Sequence, residues 1–247
     1  MYENIIDTYN KFTINKTKRK AFKKVIKTFN LFKDRETKNN FYTDVSNYLS
    51  YETGQPTHCY DASKMAGKLV FHQTDENEDF ETLLGKKITL SDKNAVFSLN
   101  KEIINLAGVV GGQNTSCSLD TKSVIVECAY FQPEAIIGKS IKYDIHSDAS
   151  HKFERGVDPA CQLNVLRRFV QIISEHASVK DVSLVSFKAK NIPKHKIQID
   201  VKKINKIIGI NIDRKEYLSY LLKPGFSIEE NFITVPSFRH DSRTNNE

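Results

Sequence analysis

Residues 147–159, SDASHKFERGVDP, concentrate side chains that could do nucleophilic or acid–base chemistry. A Ser-His-Asp relay needs a histidine that bridges the other two side chains. Here the candidate Ser, Asp and His residues all fall between Ser147 and His151, too close in sequence for that geometry. No nucleophile-elbow sequence surrounds them either. The stretch therefore does not predict a catalytic triad.

A second candidate is a carboxylate inside an apolar run. Residues 122–131, KSVIVECAYF, are typical of a strand that is covered on both faces, and Glu127 lies in their middle. Acids are rarely fully buried without a partner, because removing the charge from water is costly. Two alternatives stay open: a structural Arg or Lys neutralises Glu127, or Glu127 points into a polar pocket.

Two further segments could present groups to a ligand. AGVVGGQNT, residues 107–115, matches neither a dinucleotide fingerprint nor a phosphate loop, so it indicates backbone that turns sharply or approaches another group closely. In GQPTHCYDA, the Gln55-Pro56 pair favours extended chain and predicts that a loop presents His58. That histidine is either functional or an ordinary surface residue.

Short strands and flanking helices must position these residues. A helix is predicted to end near Thr53, with Gly54 as its left-handed C-cap. Another is predicted to begin at Asp158, with Pro159 in its first turn, and to end before Ala177. Strands are predicted at 87–90, 95–99 and 102–110, with a hairpin tip at 100–101.

The pattern changes from about Pro193. Apolar alternation at 197–201 leads into a helix that ends at Gly209. Asp213 and Glu216 form a capping box for a second helix, and 226–235 predict a hairpin. These elements indicate a separate small α/β unit.

Composition indicates a soluble globular protein: of 247 residues, 39% are hydrophobic and 27% charged. No apolar run approaches the roughly eighteen residues that span a bilayer, and the polar start is unlike a secretory signal. We therefore expect a cytoplasmic protein with no membrane partner. The four cysteines form no CxxC pair, which favours reduced thiols over a metal site.

The net charge of +7 is concentrated near the amino terminus, where residues 11–38 hold eleven Lys or Arg and two acids. Phe22, Val25, Ile26 and Phe29 follow helical spacing there, with lysines between them. Nucleic-acid contact and a merely solvated lysine face both remain open.

The motifs GQPTHCYDA, GVVGG, VECAYFQPEAI and SDASHKFERGVDP, in this order and spacing, resemble the B3/B4 region of the bacterial phenylalanyl-tRNA synthetase beta chain. IDVKKINKIIGINI and VPSFRHD resemble the B5 domain that follows. The resemblance implies an α+β fold in three parts: a basic helical segment at 1–40, a B3/B4-like editing domain with a mixed sheet and flanking helices at 41–192, and a truncated α/β B5-like domain at 193–247. The chain is therefore expected to be a fragment of that subunit.

The activity that this resemblance implies is hydrolytic editing of tyrosine mischarged on phenylalanine tRNA. An apolar synthetic site rejects an added hydroxyl only about a hundredfold, whereas a site that must hydrogen-bond the hydroxyl discriminates about ten-thousandfold or more. Editing implies no cofactor; ATP, magnesium and an alpha subunit, in a heterotetramer of two alpha and two beta chains, belong to the full enzyme. The isolated chain is not expected to aminoacylate. Alternatives are a non-catalytic tRNA-binding or assembly remnant and a generic RNA-binding protein.

The resemblance also implies roles for residues that contact the amino acid. Glu127 matches the glutamate that reads the tyrosine phenol. Gly111 and Gly112 match glycines that line the pocket. Ala149 matches a residue kept small to admit the ring, and Ser147 stands where the family usually has Thr.

The remaining matches concern hydrolysis and metal binding. His58 and Asn47 match a polar pair near the scissile ester and its water, so hydrolysis would depend on positioning that water. Asp241 matches the first of several acidic magnesium ligands, and the others are absent or altered.

Overall fold

The structure, a computed structural model, describes residues 40–91, 93–187, 194–239 and 242. The basic segment at 11–38 lies outside the described residues. Among these residues two compact units separate: one holds the described residues of 40–155 together with 162–182, and the other holds 156–161 together with the described residues from 183 onward. The division expected near residue 192 stays a prediction.

Antiparallel strands and separate helices build the first unit, which confirms the α+β class. The mixed sheet expected there is wrong, because the strand pairs of the described residues in this unit are all antiparallel. Its helices are α1 (Phe41–Thr53), α2 (Pro133–Ile136), α3 (Lys139–Tyr143), α4 (Asp148–Arg155) and α5 (Gln162–His176). Its strands are β1 (His58–Asp61), β2 (Leu69–Gln73), β3 (Glu78–Glu81), β4 (Lys87–Leu90), β5 (Ala95–Leu99), β6 (Glu102–Leu106), β7 (Val110–Gly111) and β8 (Val124–Glu127). They form an antiparallel sheet in the order β2-β5-β6-β7 and two antiparallel pairs, β1-β8 and β3-β4.

The helix end and the hairpin tip that the sequence predicts in this unit are confirmed. Helix α1 ends at Thr53, and Gly54 is left-handed with φ 75°. Asn100 and Lys101, at φ 51° and 78°, form the predicted hairpin tip between β5 and β6. The continuous strand expected over 102–110 is wrong, because the chain turns at Gly108 (φ 72°) before β7.

The apolar run around Glu127 is not a strand covered on both faces. Only Val124–Glu127 is regular, and it pairs with β1 alone. Ile125 is 41% exposed. The apolar sequence predicts full burial. However, β8 is an edge strand of a two-stranded sheet, and the face that carries Ile125 is open to solvent.

The stretch at 147–159 forms a helix and then a turn. Helix α4 occupies Asp148–Arg155. The helix predicted to begin at Asp158 begins instead at Gln162, because the Asp158 carboxylate accepts from the backbone N–H of Ala160 at 2.9 Å and closes a turn. The predicted end before Ala177 is confirmed.

The packing of the first unit fixes the position of β1. Tyr60 is 1% exposed and packs with Leu99 and Ile104. Besides its pairing with β8, β1 forms an antiparallel bridge between Tyr60 and Ser116, so it lies between β8 and the segment that follows β7. The Tyr60 side chain of β1 therefore contacts residues of β5 and β6 as well as Glu127 of β8.

The second unit matches the elements predicted from its caps and alternation. It contains β9 (His195–Gln198), α6 (Val201–Ile208), α7 (Arg214–Leu222), β10 (Ser227–Glu229) and β11 (Phe232–Val235). The strands form an antiparallel sheet in the order β10-β11-β9 around Phe226 and Ile233. Asp213 caps α7 by accepting from the Glu216 N–H at 2.8 Å.

Candidate functional site

Strands β1 and β8 place His58 and Glu127 directly opposite each other in the antiparallel register. The loop placement expected for His58 is wrong: the residue opens β1, because the extended chain set by Pro56 continues directly into strand pairing. Tyr60, two residues further along β1, lies on the same face, and its ring meets the His58 ring edge-on with centroids 4.4 Å apart.

Hydrogen bonds from two neutral side chains hold the Glu127 carboxylate. The Tyr60 hydroxyl donates to Glu127 Oε2 at 2.6 Å, and Asn105 Nδ2 of β6 donates to the same oxygen at 3.2 Å. Asn105 Nδ2 also donates to the Tyr60 hydroxyl at 2.7 Å. Within the part of the chain that the structure describes, no Lys or Arg forms an ion pair with Glu127. Of the two alternatives that the sequence left open, the contacts favour a polar environment.

Burial dominates the acidity of this carboxyl group. Removal from water raises the pKa of Glu127 to about 7, and the hydrogen bonds from Tyr60 and Asn105 oppose part of that rise. Each bond stabilises the ionised form, because a carboxylate is a stronger acceptor than the neutral acid. The protonation state of Glu127 therefore changes close to neutral pH: the ionised form only accepts hydrogen bonds, whereas the protonated form can also donate one.

The His58 imidazole is neutral at the same pH. Burial lowers the pKa of His58 to about 4, and its Nε2 atom is buried without a hydrogen-bond partner. A neutral imidazole can accept a hydrogen bond through one nitrogen and donate one from the other. His58 and Glu127 therefore form no ion pair at neutral pH, although they face each other.

The two glycines that the resemblance assigned to the pocket face different neighbours. A Cβ added at Gly111 would lie 2.1 Å from His58 Cε1 and 2.5 Å from Nε2. A Cβ added at Gly112 would lie 2.8 Å from the backbone oxygen of Ile104 and 3.0 Å from the Phe80 ring. Gly111 thus belongs to the His58 cluster, whereas Gly112 permits close packing of β3 on β6.

Ser147 and Ala149 lie at the start of α4. The Ser147 hydroxyl accepts from the Ser150 N–H at 3.0 Å, as an N-cap does, and donates to the Val109 carbonyl at 2.6 Å. This second bond joins α4 to the turn before Gly111. Ala149 is half-buried in the first helical turn.

Asn47 lies on the exposed side of α1, and in the described residues no hydrogen bond joins it to His58. Its neighbour Ser46 donates to the Thr57 carbonyl at 2.7 Å, which ties α1 to the residue before His58. The structure thus brings His58, Gly111 and Glu127 together and leaves Asn47 outside their contacts.

Sequence reasoning missed Tyr60 and Asn105, which complete the cluster. Both carried a signal. Tyr60 follows His58 by two residues, the spacing that puts two side chains on one face of a strand. Asn105 is a polar residue in the apolar run EIINL, as Glu127 is in its own strand, and it is only 3% exposed.

No metal centre or membrane span emerges from the described residues. They contain no group of three or more His, Cys, Asp or Glu side chains placed to hold a metal, and Asp241 lies outside them. The four cysteines are free thiols, of which Cys59 is buried. Among the same residues, no helix combines the length and apolarity needed to cross a bilayer.

Comparison with known proteins places the site in a family context. The profile of the B3/4 domain family matches residues 9–178. The phenylalanine–tRNA ligase beta subunit of Methylococcus capsulatus is 32% identical over 204 residues, which cover 80% of this chain and 26% of that protein. The corresponding subunit of Francisella tularensis is 34% identical over 211 residues, 82% of this chain and 27% of that protein. The chain thus spans about a quarter of the length of these relatives.

A solved structure covers much of the chain at low similarity. It is an N-terminal fragment of the phenylalanyl-tRNA synthetase beta subunit from Pyrococcus horikoshii. It covers 83% of this chain and 62% of its own, with 12% sequence identity and a TM-score of 0.39. Similarity at that level does not establish a common fold.

Proposed function

The chain belongs to the B3/4 domain family, and from that premise we propose that it hydrolyses tyrosine esterified to phenylalanine tRNA. The observation that carries the proposal is Glu127: a partly buried carboxylate that no described cation neutralises and that faces His58 of β1. Such a group can accept a hydrogen bond from a phenol. Phenylalanine has no hydroxyl to offer it.

Selectivity follows from the cost of leaving a buried acceptor without a donor. A site built to hydrogen-bond a hydroxyl rejects the analogue that lacks it, because Glu127 Oε1 then stays without a donor while Tyr60 and Asn105 bond only Oε2. The tyrosyl ester would satisfy Glu127, whereas the phenylalanyl ester would not. This difference favours hydrolysis of the mischarged tRNA and spares the correct product.

Ester hydrolysis then requires an ordered water. We assign that role to His58, whose neutral imidazole can hydrogen-bond a water at pH 7; with a pKa of about 4 it is a weak base and acts by positioning that water. Asn47 is the second candidate, from the exposed side of α1. Ala149, in the first turn of α4, is assigned to the space for the aromatic ring, and Ser147 holds that turn against Val109.

The wider biochemical setting is part of the proposal. The similar beta subunits are named as parts of phenylalanine–tRNA ligases, which supports phenylalanine tRNA and an alpha subunit as partners. ATP and magnesium would serve aminoacylation by two alpha and two beta chains, in the cytoplasm. Editing itself would need neither.

The decisive experiment compares two esters. Tyrosyl- and phenylalanyl-tRNA are incubated with the 247-residue chain, and deacylation is measured for the wild type and for Glu127→Gln. Glu81→Gln, an exposed glutamate on β3, is the matched control. We expect the wild type to prefer the tyrosyl ester, Glu127→Gln to lose about tenfold to a hundredfold of that rate, and the control to behave as wild type. Binding of tRNA without deacylation by the wild type would instead identify a non-catalytic tRNA-binding remnant.

A further inference from the structure

The hydroxyl of Tyr60 already supplies Glu127 with one phenol from within the chain. Tyr60 is 1% exposed, and its hydroxyl lies 2.6 Å from Glu127 Oε2. A phenol has one proton to give. Once that proton points to Glu127, the Tyr60 oxygen can only accept, and Asn105 Nδ2 donates to it at 2.7 Å.

The two oxygens of Glu127 therefore differ. Oε2 accepts from both Tyr60 and Asn105. In the described residues Oε1 has no hydrogen-bond donor, and it is not among the fully buried unpartnered atoms. The terminal torsion of a glutamate side chain is intrinsically broad, so the bonds to Oε2 are what fix the plane of the carboxylate.

We propose that Tyr60 and Asn105 are positioning residues for ligand recognition: they hold Oε2 so that Oε1 is presented to the phenol of the bound tyrosyl ester. This assignment rests on the function proposed above and deepens it. Neither residue contacts the ester. They act through Glu127, by fixing its orientation and by keeping it an acceptor.

Among the described residues, the titratable groups that the contacts place beside Glu127 belong to β1. His58 and Tyr60 face it from β1, and the thiol of Cys59 lies near enough for the Glu127 charge to raise its pKa. From the other sheet comes Asn105, which does not titrate. With His58 neutral above pH 4, the bonds from Tyr60 and Asn105 are the interactions that oppose protonation of Glu127.

The test removes one oxygen atom. In Tyr60→Phe of the full chain, the Glu127 carboxyl resonance is followed by NMR titration, and tyrosyl-tRNA deacylation is measured against pH. We expect the pKa of Glu127 and the acid limb of the deacylation profile to move upward together by about one pH unit or more, with about a tenfold loss of rate at pH 7. Tyr220→Phe is the matched control, because it removes a tyrosine-to-glutamate hydrogen bond on the exposed surface of the second unit. It should leave both curves unchanged.

Asn105→Leu keeps the test decisive if Tyr60→Phe fails to fold. It should move both curves in the same direction, because a donor to Oε2 is lost, and by a smaller amount, because that bond is 3.2 Å long against 2.6 Å for the bond from Tyr60. Unmoved curves in a folded variant would overturn the positioning role, and a faster tyrosyl-tRNA reaction in Tyr60→Phe would show that Tyr60 occupies the place of the ligand phenol instead. If Glu127→Gln abolishes ester selectivity while Tyr60→Phe changes nothing, the proposed function stands and this inference fails. If the wild type shows no selectivity, the proposed function fails, and the NMR titration alone still tests the Tyr60 contact.

Discussion

The imidazole of His58 fills the space that a side chain at Gly111 would occupy. A Cβ at position 111 would come within 2.1 Å of His58 Cε1, closer than any two such atoms approach in a relaxed structure. Gly111 has no positive φ, so glycine is needed there for space and not for its backbone freedom. The short strand β7 thereby fixes one side of the histidine that opens β1.

Gly111→Ala should displace the His58 ring. Overpacking of this kind costs about 1–3 kcal/mol, which urea unfolding would measure as a lower free energy of unfolding. Removing the ring by His58→Ala should make room for the added methyl. The double variant Gly111→Ala/His58→Ala should therefore be more stable than the sum of the single effects predicts.

Gly112→Ala provides the control for this cycle. Its Cβ would meet the Ile104 backbone oxygen, which the removal of His58 does not move. Gly112→Ala and His58→Ala should therefore be additive within about 0.5 kcal/mol. Additivity at Gly111 as well would show that the His58 ring does not lie where the structure puts it.

Ser147 should contribute as a helix cap more than as a ligand contact. Ser147→Ala removes the acceptor for the Ser150 N–H and the donor to the Val109 carbonyl, so we expect a loss of about 1–2 kcal/mol in thermal or urea unfolding. Ser147→Thr keeps both bonds and should lose less. Ser174→Ala, whose hydroxyl bonds a carbonyl one turn back within α5, is the control and should be nearly neutral. Equal losses at 147 and 174 would contradict the capping role.

The parts of this fold that the sequence predicts are those decided by neighbours along the chain. Helix caps act on backbone groups within a few residues, so the sequence predicts correctly the helix ends at Gly54 and Gly209 and the helix start at Asp213. Hairpin tips behave likewise. The predicted start of α5 is wrong. The sequence Asp158-Pro159 is compatible with both a helix N-terminus and an isolated turn, and the hydrogen bonds of the following residues determine which of the two forms.

The candidate site shows what lies beyond such reasoning. Its hydrogen bonds join Tyr60, Asn105 and Glu127, which are 45 and 22 residues apart along the chain. No periodicity predicts which strands will meet across that separation. The resemblance supplied Glu127, His58 and Gly111, but the partners of Glu127 came only from the packing of β1 and β8 against β6 and β7.

Ala149→Leu tests whether the first turn of α4 borders the substrate. The change adds three carbons at a half-buried position, and we expect loss of tyrosyl-tRNA deacylation with a thermal midpoint close to that of the wild type. Ala135→Leu, at another half-buried helical alanine of the same unit, is the control and should keep the activity. Equal activity of wild type and Ala149→Leu would place Ala149 away from the ester.

The facing pair His58 and Glu127 should make opposite contributions to stability as pH changes. Between pH 4.5 and 7 the folded chain holds a proton on Glu127 that the unfolded chain has released, so the Glu127 contribution falls as pH rises. Between pH 4 and 6.5 the unfolded chain holds a proton on His58 that the folded chain lacks, so the His58 contribution rises with pH. Each slope is about 1.4 kcal/mol per pH unit, and over pH 4.5–6.5 the two nearly cancel.

Single substitutions should expose the two slopes. In Glu127→Gln the histidine titrates alone, and on acidification from pH 6.5 to 4.5 the variant should lose about 3 kcal/mol relative to wild type. His58→Gln should gain a similar amount over the same range, because the protonation of Glu127 is then unopposed. The measurement is urea unfolding at several pH values, expressed as the difference from wild type, since all other titrating groups are shared. Parallel curves for the three proteins would mean that neither group is desolvated as the structure shows, and a recognition site built on a buried Glu127 would lose its physical basis.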